Sequence, residues 1–227
     1  IGVIMDLISV NDKTFFFFFL LGKGKGGYSY LVENEQNEEF VVKQIHHEPC
    51  DYYNFGNKIE AEKNDYKRLC ETGILIPRMY SIDETKETIL KEYIKGDTAF
   101  TLVKNDALPH DAILQLEDMA QKVKEFGLNI DYFPTNFVLQ SGRFYYIDYE
   151  CNSYMAEWNF ENWGIKYWSK TKEFLDYLRD HPALEKSLSK ISIPKSKKIF
   201  KVLGIELIFN FIILFCLVKK IKGCSVG

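Results

Sequence analysis

Leu21-Gly22-Lys23-Gly24-Lys25-Gly26-Gly27 follows the aromatic run Phe15–Phe19 and precedes Phe40-Val41-Val42-Lys43. Glycines turn tightly and let backbone N–H groups approach an anion with no Cβ in the way. Lys43 lies mid-strand in an apolar setting, and an inward ammonium must find an anion because burying it unpaired is costly. The two pieces together point to a phosphate-binding front to the chain. Either alone has a bland counterpart, a glycine-rich hairpin or a lysine on the solvent face, so the rest of the sequence decides.

Working outward, residues 14–21 read as a strand, short, aromatic and ended by glycine. Its five phenylalanines fit a strand buried on both faces. Tyr28–Glu33 returns, residues 34–37 turn, and residues 40–45 form a third strand, so the front is an antiparallel meander. Residues 57–71 space Ile59, Tyr66 and Leu69 for one helical face, with Gly73 placed as the C-terminal cap. Glu62 on this helix is the natural partner of Lys43; Glu60, two residues away, points elsewhere. Strands are expected at 78–83 and 88–94. A helix over 109–127 carries Ile113, Leu116, Met119, Ala120 and Val123 on one side. Residues 137–139 and 144–147 make a hairpin around Ser141-Gly142. Residues 154–182 read as helical. The fold class is α+β: a β-rich front half over 1–95, a helical back half over 96–190, and a basic and apolar tail over 191–227.

The chain has 227 residues, 46% hydrophobic and 27% charged, which is globular composition. A formal net charge of −3 gives no basic footprint, so nucleic-acid binding is not indicated. The five cysteines include no C-x-x-C pair, which argues against a disulfide framework or structural zinc and for a reducing, cytoplasmic compartment.

Two downstream segments complete the chemistry: Asp131-Tyr132-Phe133-Pro134-Thr135-Asn136 and Ile147-Asp148-Tyr149-Glu150. Phosphoryl transfer needs the phosphates held, the metal placed and the acceptor oriented. Asp131 suits the orientation of an acceptor hydroxyl. The Asn136 amide oxygen and the Asp148 carboxylate suit magnesium, with Glu150 as a further metal ligand or loop anchor. Each alone reads as a turn-former; the ordered set does not.

With these residues in hand, the sequence over roughly 14–170 resembles the protein kinase superfamily in its wide sense. The resemblance implies a bilobal fold with ATP and Mg2+ as cofactors. Gly22, Gly24 and Gly27 match its glycine-rich loop, Lys43 its strand lysine and Glu62 its helix glutamate. Lys91-Glu92-Tyr93-Ile94 looks like the hinge, with Glu92 and Ile94 toward the nucleotide. Asp131, Pro134 and Asn136 match the D-x-x-P-x-N catalytic loop, and Asp148 the metal-binding aspartate. Departures are equally specific. The His-Arg before the catalytic Asp is missing, Phe133 replaces a phosphate-contacting Lys, Tyr149-Glu150 replaces Phe-Gly, and no A-P-E element follows. These resemble atypical and small-molecule branches, either choline kinases and aminoglycoside phosphotransferases or the RIO and Kae-associated kinases. The expected activity is ATP- and Mg2+-dependent transfer of the γ-phosphate to a hydroxyl acceptor. Protein Ser/Thr leads, a small molecule of the choline or aminoglycoside type is the alternative, and a pseudokinase or nucleotide-binding regulatory module is the non-catalytic reading.

Residues 202–218 are nearly all apolar and flanked by lysines, but fall short of the roughly 20 residues of a spanning helix. A buried helix and a membrane-associated tail are the two readings. Cys224-Ser225-Val226-Gly227 has the C-a-a-X form, with a terminal Gly that argues against prenylation.

Overall fold

Short antiparallel strands joined by tight turns build the front half. The computed structural model describes residues 7–48 and 56–181, so the expectations for 191–227 lie outside the described residues. β1 (Leu7–Val10) and β2 (Lys13–Lys23) form a hairpin across Asn11, whose φ of 52° is one asparagine tolerates. β3 (Gly27–Glu33) and β4 (Glu39–Ile45) continue the meander as expected. β5 (Met79–Asp83) and β6 (Thr88–Glu92) complete a six-stranded antiparallel sheet in the order β1-β2-β3-β4-β6-β5. β1 was not foreseen, because residues 1–10 are only mildly apolar.

The phenylalanine run is not buried on both faces. Only Phe15 is buried, and Leu20 and Leu21 are exposed. Register shifts between Phe17 and Phe19 and between Leu20 and Gly22 bend the strand, so simple alternation does not govern its faces. Elsewhere alternation holds. Val42 joins Val10, Phe15, Val32 and Leu90 on one side of the sheet. Ile45 packs on the other with Ile89 and Ile59, the latter from α1 (Lys58–Thr72). α1 starts where Asn57 accepts the Glu60 N–H and ends at Gly73, whose φ is 71°.

The back half is less helical than expected. β7 (Asp97–Thr98), α2 (Ala99–Lys104), α3 (Ala112–Glu125), β8 (Leu128–Ile130), β9 (Phe137–Gln140), β10 (Arg143–Tyr146) and β11 (Cys151–Ser153) follow in order. Its strands form two small sheets, β10-β9-β7 and β11-β8. The helix expected over 154–182 shrinks to α4 (Lys172–Asp180), preceded by 3-10 turns at Ala156–Trp158 and Gly164–Tyr167. Aromatic burial overrides helical spacing there. Trp168 is buried with Nε1 donating to the Tyr132 carbonyl at 2.8 Å, and a Cβ on Gly164 would lie 2.6 Å from Tyr132 Cβ.

The crossing from β6 to β7 sits at the expected division near Lys95–Thr98, yet one core runs across it. Leu69 of α1 and Ile74 pack in the same cluster as Leu116, Val123, Phe137 and Trp168. The chain through Asp176 forms one compact unit, and a second begins at Tyr177. Among the described residues no helix is long and apolar enough to cross a membrane.

Candidate functional site

Pairing register places the central lysine. In β4, Lys43 stands opposite Ser29 of β3 and Ile89 of β6, on the sheet face that α1 covers. It is 9% exposed. Its ammonium forms an ion pair with Glu62 Oε1 and lies 3.5 Å from Asp148 Oδ1. Glu60, the alternative partner by sequence, pairs with Lys63 at 2.9 Å instead. Burial alone would push the Lys43 pKa down, but Asp148 and Glu62 outweigh it and hold it above the ordinary lysine value. Burial would likewise raise Asp148, but Lys43 and Lys91 together with the Tyr149 N–H hold it below the usual aspartate value. Among the described residues, Glu62 Oε2 is buried without a hydrogen-bond partner.

The loop between β8 and β9 carries Asp131 and Asn136. Asp131 Oδ1 accepts the Phe133 N–H at 3.0 Å, and Asn136 Nδ2 donates to the Asp131 carbonyl at 3.3 Å. The Ile147 N–H donates to the Asn136 carbonyl at 2.8 Å, so this loop is stitched to the segment carrying Asp148. Asp131 is exposed, yet partial desolvation by the surrounding chain raises its pKa, and the Asp148 charge adds to the effect. Glu150 is raised by the same two causes, and its Oε1 accepts from Asn152 at 3.4 Å.

Gly22 pairs with Ser29 at the end of β2, and the Gly24 N–H donates to the Gly27 carbonyl at 2.9 Å across the hairpin tip. The tip lies over the ion pair: a Cβ on Gly26 would be 3.6 Å from Lys43 Nζ. Gly22 has open space on its Cβ side, whereas a Cβ on Gly27 would come within 2.4 Å of the Gln44 carbonyl oxygen. So Gly27 is required by packing and Gly22 is not. Glu92 ends β6 with its Oε2 accepting the Arg78 N–H at 3.0 Å, and Ile94 is buried in the connection that follows. The structure brings Lys43, Glu62 and Asp148 together and ties Asp131 and Asn136 to them through backbone. Glu92 and Ile94 stand at the crossing between the halves. A separate cleft of about 300 Å³, lined by Ile74, Gln115 and Arg143 among others, holds none of these residues.

Sequence reading placed Lys91 only as the first residue of the hinge stretch and gave it no part in the site. It lies two residues after Ile89 on β6, hence on the face that carries Lys43, and it is 5% exposed. Its ammonium donates to the Ile147 carbonyl at 2.6 Å and sits 4.3 Å from the centre of the Tyr149 ring. Burial and the nearby Lys43 charge push its pKa down to about 8. Strand alternation through Thr88–Glu92 was the available signal. Lys43 and Lys91 balance Glu62 and Asp148, so this buried cluster is neutral. Among the described residues no group of three or more His, Cys, Asp or Glu gathers around a cation position. No protein-family model matches the chain, and no curated protein matches it.

Proposed function

We propose that the chain is an ATP- and Mg2+-dependent phosphotransferase with a kinase-like arrangement of two halves. The observation that carries this reading is the ion pair of Lys43 with Glu62 beside Asp148, beneath the glycine hairpin. Three residues distant in sequence converge there, and a chance turn-former has no reason to join them.

The residues fit such a ligand. Asn136 and Asp148 offer two oxygen donors, and Mg2+ characteristically binds through few carboxylates and keeps several waters. When bound, the metal and nucleotide supply the phosphoryl group and the positive charge that neutralises it. The rest belongs to the chain. Lys43, held by Glu62, directs its ammonium at the phosphates. Gly22 and Gly24 leave the hairpin backbone open to approach on the side where a Cβ would otherwise stand. Asp131, next to the acceptor, orients a hydroxyl and takes its proton at a carboxylate oxygen.

The leading acceptor is a protein hydroxyl. One observation favours a small molecule instead. After Glu150 the chain pairs at once, Cys151–Ser153 against Leu128–Ile130, so little chain separates Asp148 from the next strand. Phe133, Trp163, Tyr167 and Trp158 then form a contiguous aromatic array beginning two residues from Asp131. Calorimetric titration with ATP in the presence and absence of Mg2+ tests the nucleotide site; no metal-dependent binding by folded protein would end the reading. ATP consumption across protein, aminoglycoside, choline and sugar acceptors then separates the two acceptor classes.

A further inference from the structure

We propose that Lys91 is a positioning residue for Asp148, acting by holding the residues on either side of it. β10 ends at Tyr146, so residues 147–150 have no strand partner to set their course. Their position comes from individual bonds. On one side of Asp148, the Ile147 carbonyl accepts from Lys91 Nζ at 2.6 Å while the Ile147 N–H reaches the Asn136 carbonyl at 2.8 Å. On the other side, the Tyr149 ring lies under the same ammonium at 4.3 Å, and the Tyr149 hydroxyl donates to the Pro77 carbonyl at 2.8 Å. Lys91 thus touches both neighbours of Asp148.

A buried ammonium is costly to place, and an apolar side chain of similar volume is often as stable or more so. At 5% exposure Lys91 is such a case, and it has no direct carboxylate partner at salt-bridge distance among the described residues. A lysine of this kind earns its place through what it holds. Here it ties the end of the central sheet to the segment bearing the carboxylate that faces Lys43. Losing the ammonium leaves the Ile147 carbonyl without its donor and removes the cation from the Tyr149 ring, which keeps its hydroxyl bond to Pro77. The link between Ile147 and Tyr149 across Asp148 is then lost, and its distance to Lys43 is less firmly set.

The inference rests on the reading above only for what Asp148 does, and its first test needs no nucleotide. Lys91→Met keeps the stem and removes the ammonium. Amide hydrogen exchange of the nucleotide-free protein should accelerate about tenfold or more at Asp148 and Tyr149 while α3 keeps its protection. Unchanged exchange at these amides, or faster exchange throughout, overturns the proposal, since a merely structural lysine would loosen the whole unit. In nucleotide binding followed by calorimetry, the Mg2+ concentration for half-maximal effect should rise about 10- to 100-fold in the variant, with metal-free nucleotide affinity unchanged. If the variant does not fold, the wild type still decides: magnetic resonance must show contact between the Lys91 side chain and the Tyr149 ring, and its absence overturns the proposal. If wild type binds no nucleotide at any Mg2+ concentration, the phosphotransferase reading fails, while the exchange result judges Lys91 independently.

Discussion

Asp131, exposed at the site, and Lys91, buried beside it, are ionisable groups whose environments push them in opposite ways, and each yields a prediction. Asp131→Asn removes the proton acceptor but keeps the shape, so it should lower kcat by about 10²–10⁴ with ATP affinity nearly intact. Steady-state kinetics on the true acceptor, paired with ATP titration, checks this; full turnover would reduce Asp131 to a turn residue. A base must be ionised to act. Because partial desolvation and the Asp148 charge raise its pKa above the usual 3.8, the acidic fall in kcat should lie at higher pH than an ordinary aspartate gives. Lys91 titrates in the opposite sense. Its pKa is about 8 when folded against 10.5 for the ordinary group, so the unfolded chain holds more protons between those values. Stability from this group therefore rises as pH climbs from 8 to 10.5. Urea midpoints of wild type and Lys91→Met should differ most below 8 and converge toward 10.5; a pH-independent difference would contradict the burial of a charged Lys91.

In the β2–β3 hairpin, glycines that look alike in sequence do different work. A Cβ at Gly27 would meet the Gln44 backbone at 2.4 Å, which nothing flexible can relieve. Gly27→Ala should cost about 1–3 kcal/mol, read from urea unfolding. At Gly24 the nearest atom to a Cβ is 4.0 Å away. Gly24→Ala should therefore change stability by no more than about 0.5 kcal/mol while raising the KM for ATP, because the added methyl stands where phosphate would approach. Equal destabilisation by both would mean the hairpin tip is packed rather than open. The same logic holds at the end of α1: Gly73 has φ 71°, and alanine there should cost about 1–2 kcal/mol.

The shared core makes the whole unit cooperative. Leu69 and Ile74 from the front half are buried among Leu116, Val123 and Trp168 of the back half. The tryptophans, 158, 163 and 168, all lie in the back half, whereas the six-stranded sheet lies in the front. Urea unfolding followed by tryptophan fluorescence and by far-ultraviolet circular dichroism should give one midpoint. Two separated midpoints would show that the halves fold independently. For the same reason residues 1–95 expressed alone should not reach a native state, since Leu69 and Ile74 would face water.

Local rules made most of the elements legible. Turn glycines, the Gly73 cap and the two-residue alternation depend on neighbours in the chain, so β2 to β6, α1, α3 and the β9–β10 hairpin could be read from residues alone. The candidate site residues were legible for the same reason, as motifs in order. What sequence could not supply is whatever depends on partners far along the chain. Helical spacing already singled out Glu62 over Glu60 for Lys43, but that Asp148 comes to the same ammonium depends on how the later segment lies against the sheet. Residues 154–171 give up helical form because burying Phe160 and Trp168 against Tyr132 outweighs helical hydrogen bonding. Lys91 reads as one more hinge residue until the fold brings Ile147 and Tyr149 to it. Sequence determined which residues carry charge and where the chain turns; tertiary structure decided which charges meet, because burial and pairing are properties of neighbours in space.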